Sequence, residues 1–546
     1  MRDDNPIALR SPFAHSAQEA VKGPWPKAVR PEEAAFAELA AAAPSSAGFY
    51  LDATGTIHVV VKDVADANAA RSAVLTMVST GRVVTGKSRA ASIVTEDGRF
   101  TFGELAVIRD AIHEHLLASQ RIVMLDLNEQ TNRVELGIDR LNASYIRETL
   151  PADIAALGLD TNAIAYREAT IPRLAIAKGS YRRRFGSTIQ STVDTITGGI
   201  QMERQGHACT IGVIALYNSA PSVLSNSHCS ETLFSYDGDS IEQATTTSPG
   251  RRIGHETVDP PGTSCYGYPC RGSDAALFGL ESGILYYTGM IARTASRAGP
   301  ATYTLADGSK TWDASNPYFY VSNTVTPTTG MEVNKVGMRT GWTYGYVTNT
   351  CVDGFYGTSP NLMFITCSMV ATVHVDGGDS GSPVFAFGGS PGSGGGMADL
   401  VDFAGLIFAG YASDTLSYFS PYGRIASDIG GSLSVTVPIT LSTPSLSGSV
   451  GTGGSQVLSW GSVTGAEKYQ VYGAEGEGSG SSTTYPVGTT TGTSMTITTL
   501  YATGYTGGTQ PSSGTWVRYS VYALGKATRS AQSNFVYFTT GCTGRC

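Results

Sequence analysis

The chain has 546 residues, 41% of them hydrophobic and only 15% charged, so it is globular and not disordered. At this length about three domains are expected in place of a single core. The net charge of -8 carries no basic footprint and no apolar run approaches a membrane-spanning length, so neither a nucleic-acid partner nor a membrane span is expected.

Residues 1–30 read as an irregular, proline-broken segment without the basic and apolar stretches of a secretory signal. Pro31-Glu32-Glu33 ahead of Ala34 to Leu39 opens a helix, with proline and acids in its first turn. Residues 49–52 and 56–61 form a hairpin around Ala53-Thr54-Gly55, and helical spacing follows over 65–78 and 102–118. Strands at 121–127 and 133–138, a short helix at 151–157 and a strand at 163–168 complete a cysteine-free α+β region, placed at 31–185. His113 and His115 are two apart in a helix and do not share a face, so they are read as part of a solvated surface and not as a metal pair. The basic stretch from Lys178 to Thr188 is either a protease-sensitive linker or a solvated loop.

Beyond it come short alternating strands with frequent glycine, as in an all-β barrel or sandwich: 209–217, 274–280, 343–347, 364–375 and 403–408, then a helix at 421–429. Gly388 to Gly396 reads as a flexible surface loop, and the Ser/Thr/Pro-rich passage 437–447 as a second linker. Five further alternating strands, at 456–460, 468–472, 494–498, 515–522 and 534–538, make a β-sandwich with Trp460 and Tyr519 in its core. Ser459-Trp460 followed by Gly465 to Tyr472 resembles a fibronectin type III domain, covering 441–546.

Chemistry concentrates in Val375-Asp376-Gly377-Gly378-Asp379-Ser380-Gly381-Ser382-Pro383. Gly377, Gly378 and Gly381 permit positive φ, so the turn can expose Ser380 and aim the N–H groups of Gly378 and Ser380 at a developing oxyanion. A plain surface turn would use the same residues. A serine nucleophile needs a base, and the base needs an acceptor on its other nitrogen. His228, in Asn226-Ser227-His228-Cys229, and Asp274, opening the apolar run Ala275-Ala276-Leu277, supply both.

The order His, Asp, Ser, with His-Cys, Asp-Ala-Ala-Leu and Gly-Asp-Ser-Gly-Ser-Pro, resembles the chymotrypsin-like serine endopeptidases. Thr197-Gly198-Gly199-Ile200, and Lys335 to Trp342 with Gly345-Tyr346-Val347, are similar to the bacterial secreted branch of alpha-lytic protease and streptogrisin type. The resemblance implies a trypsin-like double barrel over 195–432. It makes Ser380 the nucleophile, His228 the base and then acid, and Asp274 the residue that orients the histidine. The amides of Gly378 and Ser380 would form the oxyanion hole. It implies that the N-terminal region is a pro-region, folding catalyst and inhibitor of a zymogen, with a mature start between residues 180 and 200. Asp379 would pair with a buried cation, either Arg339 or a freed amine. His374 would lie at the pocket floor, or else have a plain packed or surface role, and Phe408, Ala409 and Gly410 would lie in the pocket wall, with Gly410 leaving the mouth open to an apolar or aromatic residue. Ser227 and Ser382 depart from the family pattern without removing a catalytic group. His207 and His255 are rival bases, read as surface residues.

All eight cysteines lie from Cys209 onward, and no CxxC pair occurs, so disulfides and secretion are expected and no metal or cofactor. Either the export signal lies outside this sequence or another route is used. Cys209 and Cys229 would staple a hairpin beside His228. Cys351 with Cys367, Cys265 with Cys270 and Cys542 with Cys546 are local pairings. The expected chain is a monomer acting on protein or peptide substrates. The other reading is a catalytically silent, protease-like binding protein.

Overall fold

The structure, a computed structural model, describes residues 30–79, 92–117, 122–139, 143–178, 187–204, 206–243, 250–299, 306–387, 399–410, 416–451, 455–476, 484–498 and 516–539. Cys542, Cys546, the loop 388–396 and the arginine run 182–184 lie outside them.

The central region holds two groups of antiparallel strands. In the first, Val213–Tyr217, Ala220–Ser225, Ala276–Leu280, Arg251–Val258, Ser240–Gln243, Gln201–Arg204 and His207–Thr210 pair in that order. In the second, Glu332–Gly337, Gly341–Tyr356, Met363–Ala371, Ser417–Pro421, Leu400–Gly410 and Pro383–Phe387 pair in turn, and the last returns to the first. Closure leaves that ring without a free edge. The strand expected over 209–217 is two strands. Gly212 interrupts it, giving its N–H to Leu224 O at 2.9 Å, so His207–Thr210 and Val213–Tyr217 join different neighbours. Helix Tyr422–Ile429 packs Ile425 and Ile429 into the core, as its spacing suggested.

The N-terminal region has helices and sheets of its own. Ser46–Leu51 pairs with Ile57–Val61, which also pairs in parallel with Ile93–Asp97. That third strand escaped sequence reading because its face is mostly exposed and acidic. Helix Phe102–His115 starts at a capping box, Thr101 with Glu104. The helix expected at 151–157 begins at Ala143, with Pro151 inside it. Ile122–Asn128, Arg133–Asp139 and Ile164–Ala169 form the second sheet.

This sheet does not end at the N-terminal region. Leu125 and Met124 pair with Asp353 and Gly354, so it continues into the closed ring. Arg30 clamps buried Asp353 with both Nη atoms at 3.0 Å. His113 is not on a solvated face. Its ring packs against Tyr266 and Phe364, with Nε2 3.4 Å from Asp353 Oδ2, because helix Phe102–His115 faces the central region there. Two buried carboxylates lie at the same junction. Asp126 accepts from Asn349 Nδ2 at 2.6 Å, and Glu129 accepts from Thr329 and Thr350 at 3.3 Å each. Burial raises the pKa of both, and the Asp126 charge raises that of Glu129 further. Glu33 and Glu135 add to the repulsion at Asp126, while Arg167 opposes it.

The C-terminal region is a two-sheet sandwich. Leu446–Val450, Gln456–Trp460 and Ser494–Ile497 make one sheet; Thr484–Thr490, Ala466–Gly476, Trp516–Gly525 and Val536–Thr539 make the other. Trp460 and Tyr519 lie in its core. The passage 437–447 is not a free linker. Ile439–Leu441 pairs with Thr528–Ser530, and Tyr472 and Leu524 join the core of the central region. Asp399 bolts the two together from full burial, accepting from Arg293 Nη1 at 2.9 Å and facing Lys468 Nζ at 2.7 Å.

Two predictions follow from these junctions. Asp399→Ala removes the buried anion between Arg293 and Lys468, which keep only Asp313 and Asn316, and is expected to remove about 3 kcal/mol from unfolding of the central region; chemical denaturation measures it. For Asp126 and Glu129 the folded pKa values lie above the unfolded ones, so the native state binds more protons across that interval. Their contribution is therefore full below the ordinary carboxylate pKa and is lost as pH rises toward neutrality and beyond. The double change Asp126→Asn, Glu129→Gln is expected to raise the melting temperature at pH 8 and leave it nearly unchanged at pH 4.

Candidate active site

Strand pairing brings the first two residues together. Ser225, ending Ala220–Ser225, lies opposite Ala276, which opens Ala276–Leu280. The turn Ser227–Cys229 then places His228 beside Asp274, the two residues just beyond those strand ends. His228 Nδ1 is hydrogen-bonded to Asp274 Oδ2, and Asp274 Oδ1 accepts the His228 N–H at 3.1 Å. On its other side, His228 Nε2 lies 2.7 Å from Ser380 Oγ. Asp274 is fixed at its backbone, donating N–H to Ser420 Oγ at 3.0 Å and accepting from Asn226 Nδ2 at 2.6 Å. All three side chains are buried.

A second layer holds the histidine turn. The Ser227 hydroxyl donates to Asp259 Oδ2 at 2.6 Å and accepts the Phe234 N–H at 2.7 Å. Arg271 Nη1 donates to Asp259 Oδ1 at 2.8 Å, and its guanidinium covers the Phe234 ring at 4.3 Å. Burial raises the Asp259 pKa, and Arg271 opposes that rise. Ser227 is thus a bonded part of the site, whereas the Ser382 hydroxyl is buried with no hydrogen-bond partner among the described residues. Cys209–Cys229 closes beside the histidine, and Cys265–Cys270 and Cys351–Cys367 are also formed. The loops closed by Cys209–Cys229 and Cys351–Cys367 are each worth about 3 kcal/mol through chain entropy.

The serine turn is built on Asp379. Gly378 and Gly381 have φ of +112° and +85°, conformations that strain any residue with a Cβ, while Gly377 does not use this freedom. Asp379 is fully buried and accepts from the backbone N–H groups of Arg339 at 3.0 Å, Thr340 at 3.2 Å and Asp376 at 3.1 Å. The Thr340 hydroxyl adds a bond of 2.6 Å. Its cation is Lys335, with Nζ 3.3 Å away and no exposed side chain on either partner. The expected Arg339 does not fill this role: its side chain turns outward to Asp376 at 3.0 Å. Burial pushes the Lys335 ammonium downward and Asp379 opposes it.

The N–H groups of Gly378 and Ser380 converge on one oxygen, the carbonyl of Ala175, at 2.6 and 2.9 Å. The surrounding residues follow it through the cleft as a strand. Ala175 N–H donates to Phe408 O at 3.0 Å, and Arg173 O accepts from Gly410 N at 2.9 Å. Leu174 bridges Ala409, and Ala177 and Lys178 pair antiparallel with Ala208 and His207. Phe408, Ala409 and Gly410 therefore act through their backbone.

The pocket side differs from expectation. His374 is not at its floor: the strand expected over 364–375 ends at Ala371, and His374 Nε2 lies 3.3 Å from Asp307 Oδ1. Val373 and Val375 turn inward instead, into the apolar cluster that contains Ala175. Nor is the mouth open at Gly410, because a Cβ added there would meet the Val375 Cγ2 methyl. His255 pairs with Glu281 at 3.3 Å, and His207 lies in a strand between Arg204 and Lys178; neither is bonded to Ser380.

Lys335→Met leaves Asp379 as a buried anion without its cation. It is expected to lower unfolding stability by about 3–5 kcal/mol, measured by denaturation with Lys335→Arg as an overpacking control.

No family model and no curated protein matches the chain. Among solved structures, Thermobifida fusca Protease A is 18% identical, covering 44% of this chain and 98% of its own, at a TM-score of 0.30. A glutamic acid specific serine protease described as using a histidine triad in substrate binding is 16% identical over 44% of this chain and 100% of its own, at 0.29. An Fn3-like protein from Clostridium thermocellum is 22% identical over 19% of this chain and 92% of its own, at 0.14. At these TM-scores the likenesses add nothing to the geometry.

Proposed function

We propose that the protein is a serine endopeptidase, of the trypsin-like double-barrel kind, that hydrolyses peptide bonds through an acyl-enzyme on Ser380. The observation that carries this is one histidine bonded on Nδ1 to Asp274 and facing Ser380 Oγ on Nε2 at 2.7 Å, with two N–H groups already gripping a carbonyl beside that serine. Ser380 attacks a substrate carbonyl while His228 takes its proton, and Asp274 steadies the imidazolium. The amides of Gly378 and Ser380 hold the oxyanion, His228 returns the proton to the leaving amine, and water then releases the acid. No metal or cofactor is needed for these steps.

The reading extends to a secreted zymogen. Residues 31–185 would be its pro-region, 195–432 its protease domain and 441–546 a fibronectin type III-like sandwich. The strand through the cleft supports an inhibitory role for the N-terminal region, and the disulfides are consistent with an oxidising compartment. No helix among the described residues is long and apolar enough to cross a membrane. A silent binding protein would need no aligned triad, and nothing in the geometry favours it.

A fluorophosphonate probe is expected to label the protein freed of its N-terminal region, and to label Ser380→Ala not at all. Full-length protein with the cleft filled is expected to label at least 10-fold more slowly. Absence of labelling on the freed protein would overturn the proposal.

A further inference from the structure

The strand in the cleft reveals what the cleft accepts. Its residues alternate as the cleft does: Arg173 is exposed, Ala175 and Ala177 are buried, and Leu174 and Ile176 are half-buried. Ala175 is the residue whose carbonyl sits between the Gly378 and Ser380 amides, and it is 3% exposed within the cluster of Met369, Val373, Val375, Ile407 and Phe419. A large apolar or aromatic side chain would have to pass between Gly410 and the segment carrying Val375. The Val375 Cγ2 methyl occupies that gap. Among the described residues no cation or anion is placed to greet a charged side chain either, since His374 is turned away to Asp307 and Arg173 is exposed. Ala177, on the far side of the carbonyl, packs against Ala208 and Met338, so this side too is fitted to a small residue.

Resting on the protease reading above, we infer that the cleft selects a small aliphatic residue on the acyl side of the cleaved bond, with Val375 setting that limit, and that the Ala175–Ile176 bond is the first substrate. In that step Ser380 Oγ bonds to the Ala175 carbonyl carbon, and its proton passes to His228. The C–N bond to Ile176 then breaks, and the proton moves to the Ile176 nitrogen, which leaves as a free amine. Water hydrolyses the ester, restoring the Ser380 hydroxyl and leaving Ala175 as a carboxylate. This site precedes the window of residues 180–200 suggested by sequence. The backbone bonds to Phe408 and Gly410 fix the strand whatever its side chains are, so discrimination falls on the Ala175 position.

The test uses full-length protein and peptide libraries. Early in a time course, mass spectrometry of wild-type protein is expected to show an N-terminal fragment ending at Ala175 and a partner beginning at Ile176, with Ser380→Ala intact. The active protein is expected to cleave peptides after alanine about 100-fold faster, in kcat/KM, than after phenylalanine, lysine or glutamate. Val375→Gly is expected to narrow the alanine-to-phenylalanine ratio at least 10-fold, read as two kcat/KM values within the one variant. A fluorophosphonate-reactive protein that prefers a large or charged residue, or an unchanged ratio in labelled Val375→Gly, would overturn this inference and spare the protease reading. A protein that neither labels nor cuts would overturn both.

Discussion

A carboxylate without water governs the site. Asp379 has no solvent to share its charge with, so every hydrogen-bonding direction it offers must be met by protein. It is met by Lys335, the Thr340 hydroxyl and the N–H groups of Arg339, Thr340 and Asp376. These partners come from the Glu332–Gly337 hairpin and from the serine turn itself. Satisfying one buried anion therefore sets the curvature of residues 376–382 and, with it, the direction of two amides. Thr210 extends the same brace, donating its hydroxyl to Gly378 O at 2.8 Å while its N–H donates to Ser380 O at 2.7 Å. Because Cys209 is its neighbour, the disulfide to Cys229 ties the serine turn and the histidine turn to a single strand.

The N-terminal region meets the central region in two chemically different ways. Along 172–178 the contacts are mostly backbone, and they follow the cleft strand by strand. Around Asp353 they are ionic and buried, with Arg30 on one side and His113 on the other, beside a sheet that runs through both regions. The first kind depends on shape, and the second on charge. Asp126 and Glu129 belong to the second, and their burial makes the contact sensitive to proton concentration in a way that the strand in the cleft is not.

Sequence reading located what short motifs can carry. His228, Asp274 and Ser380 stood out because their chemistry needs particular residue types, and the fold brought them to within hydrogen-bond reach. Lys335 was overlooked because a lysine in an alternating strand reads as solvent-facing until its partner across the turn is known. Val375 was legible in principle: period-two alternation over the expected strand would set it opposite His374, and counting back from the serine selected the wrong neighbour. Residues 172–178 had no signal at all. Their pairing partners are more than two hundred positions away for the Phe408 side, and a short apolar run has no periodicity to announce it. Asp399 was invisible for the same reason, since its cations come from separate regions.

The strand in the cleft and the serine it faces belong to one chain, so while the chain is whole the cleft meets its own segment at an effective concentration of about millimolar order, regardless of dilution. A free peptide cannot compete against that on equal terms. Once the bond between Ala175 and Ile176 is broken, the same segment becomes a separate molecule held only by its junctions, and its occupancy begins to fall with the total amount of protein present. A single broken bond thus exchanges a concentration-independent state for a concentration-dependent one, and the volume into which the protein is delivered becomes a variable that the intact chain could not sense.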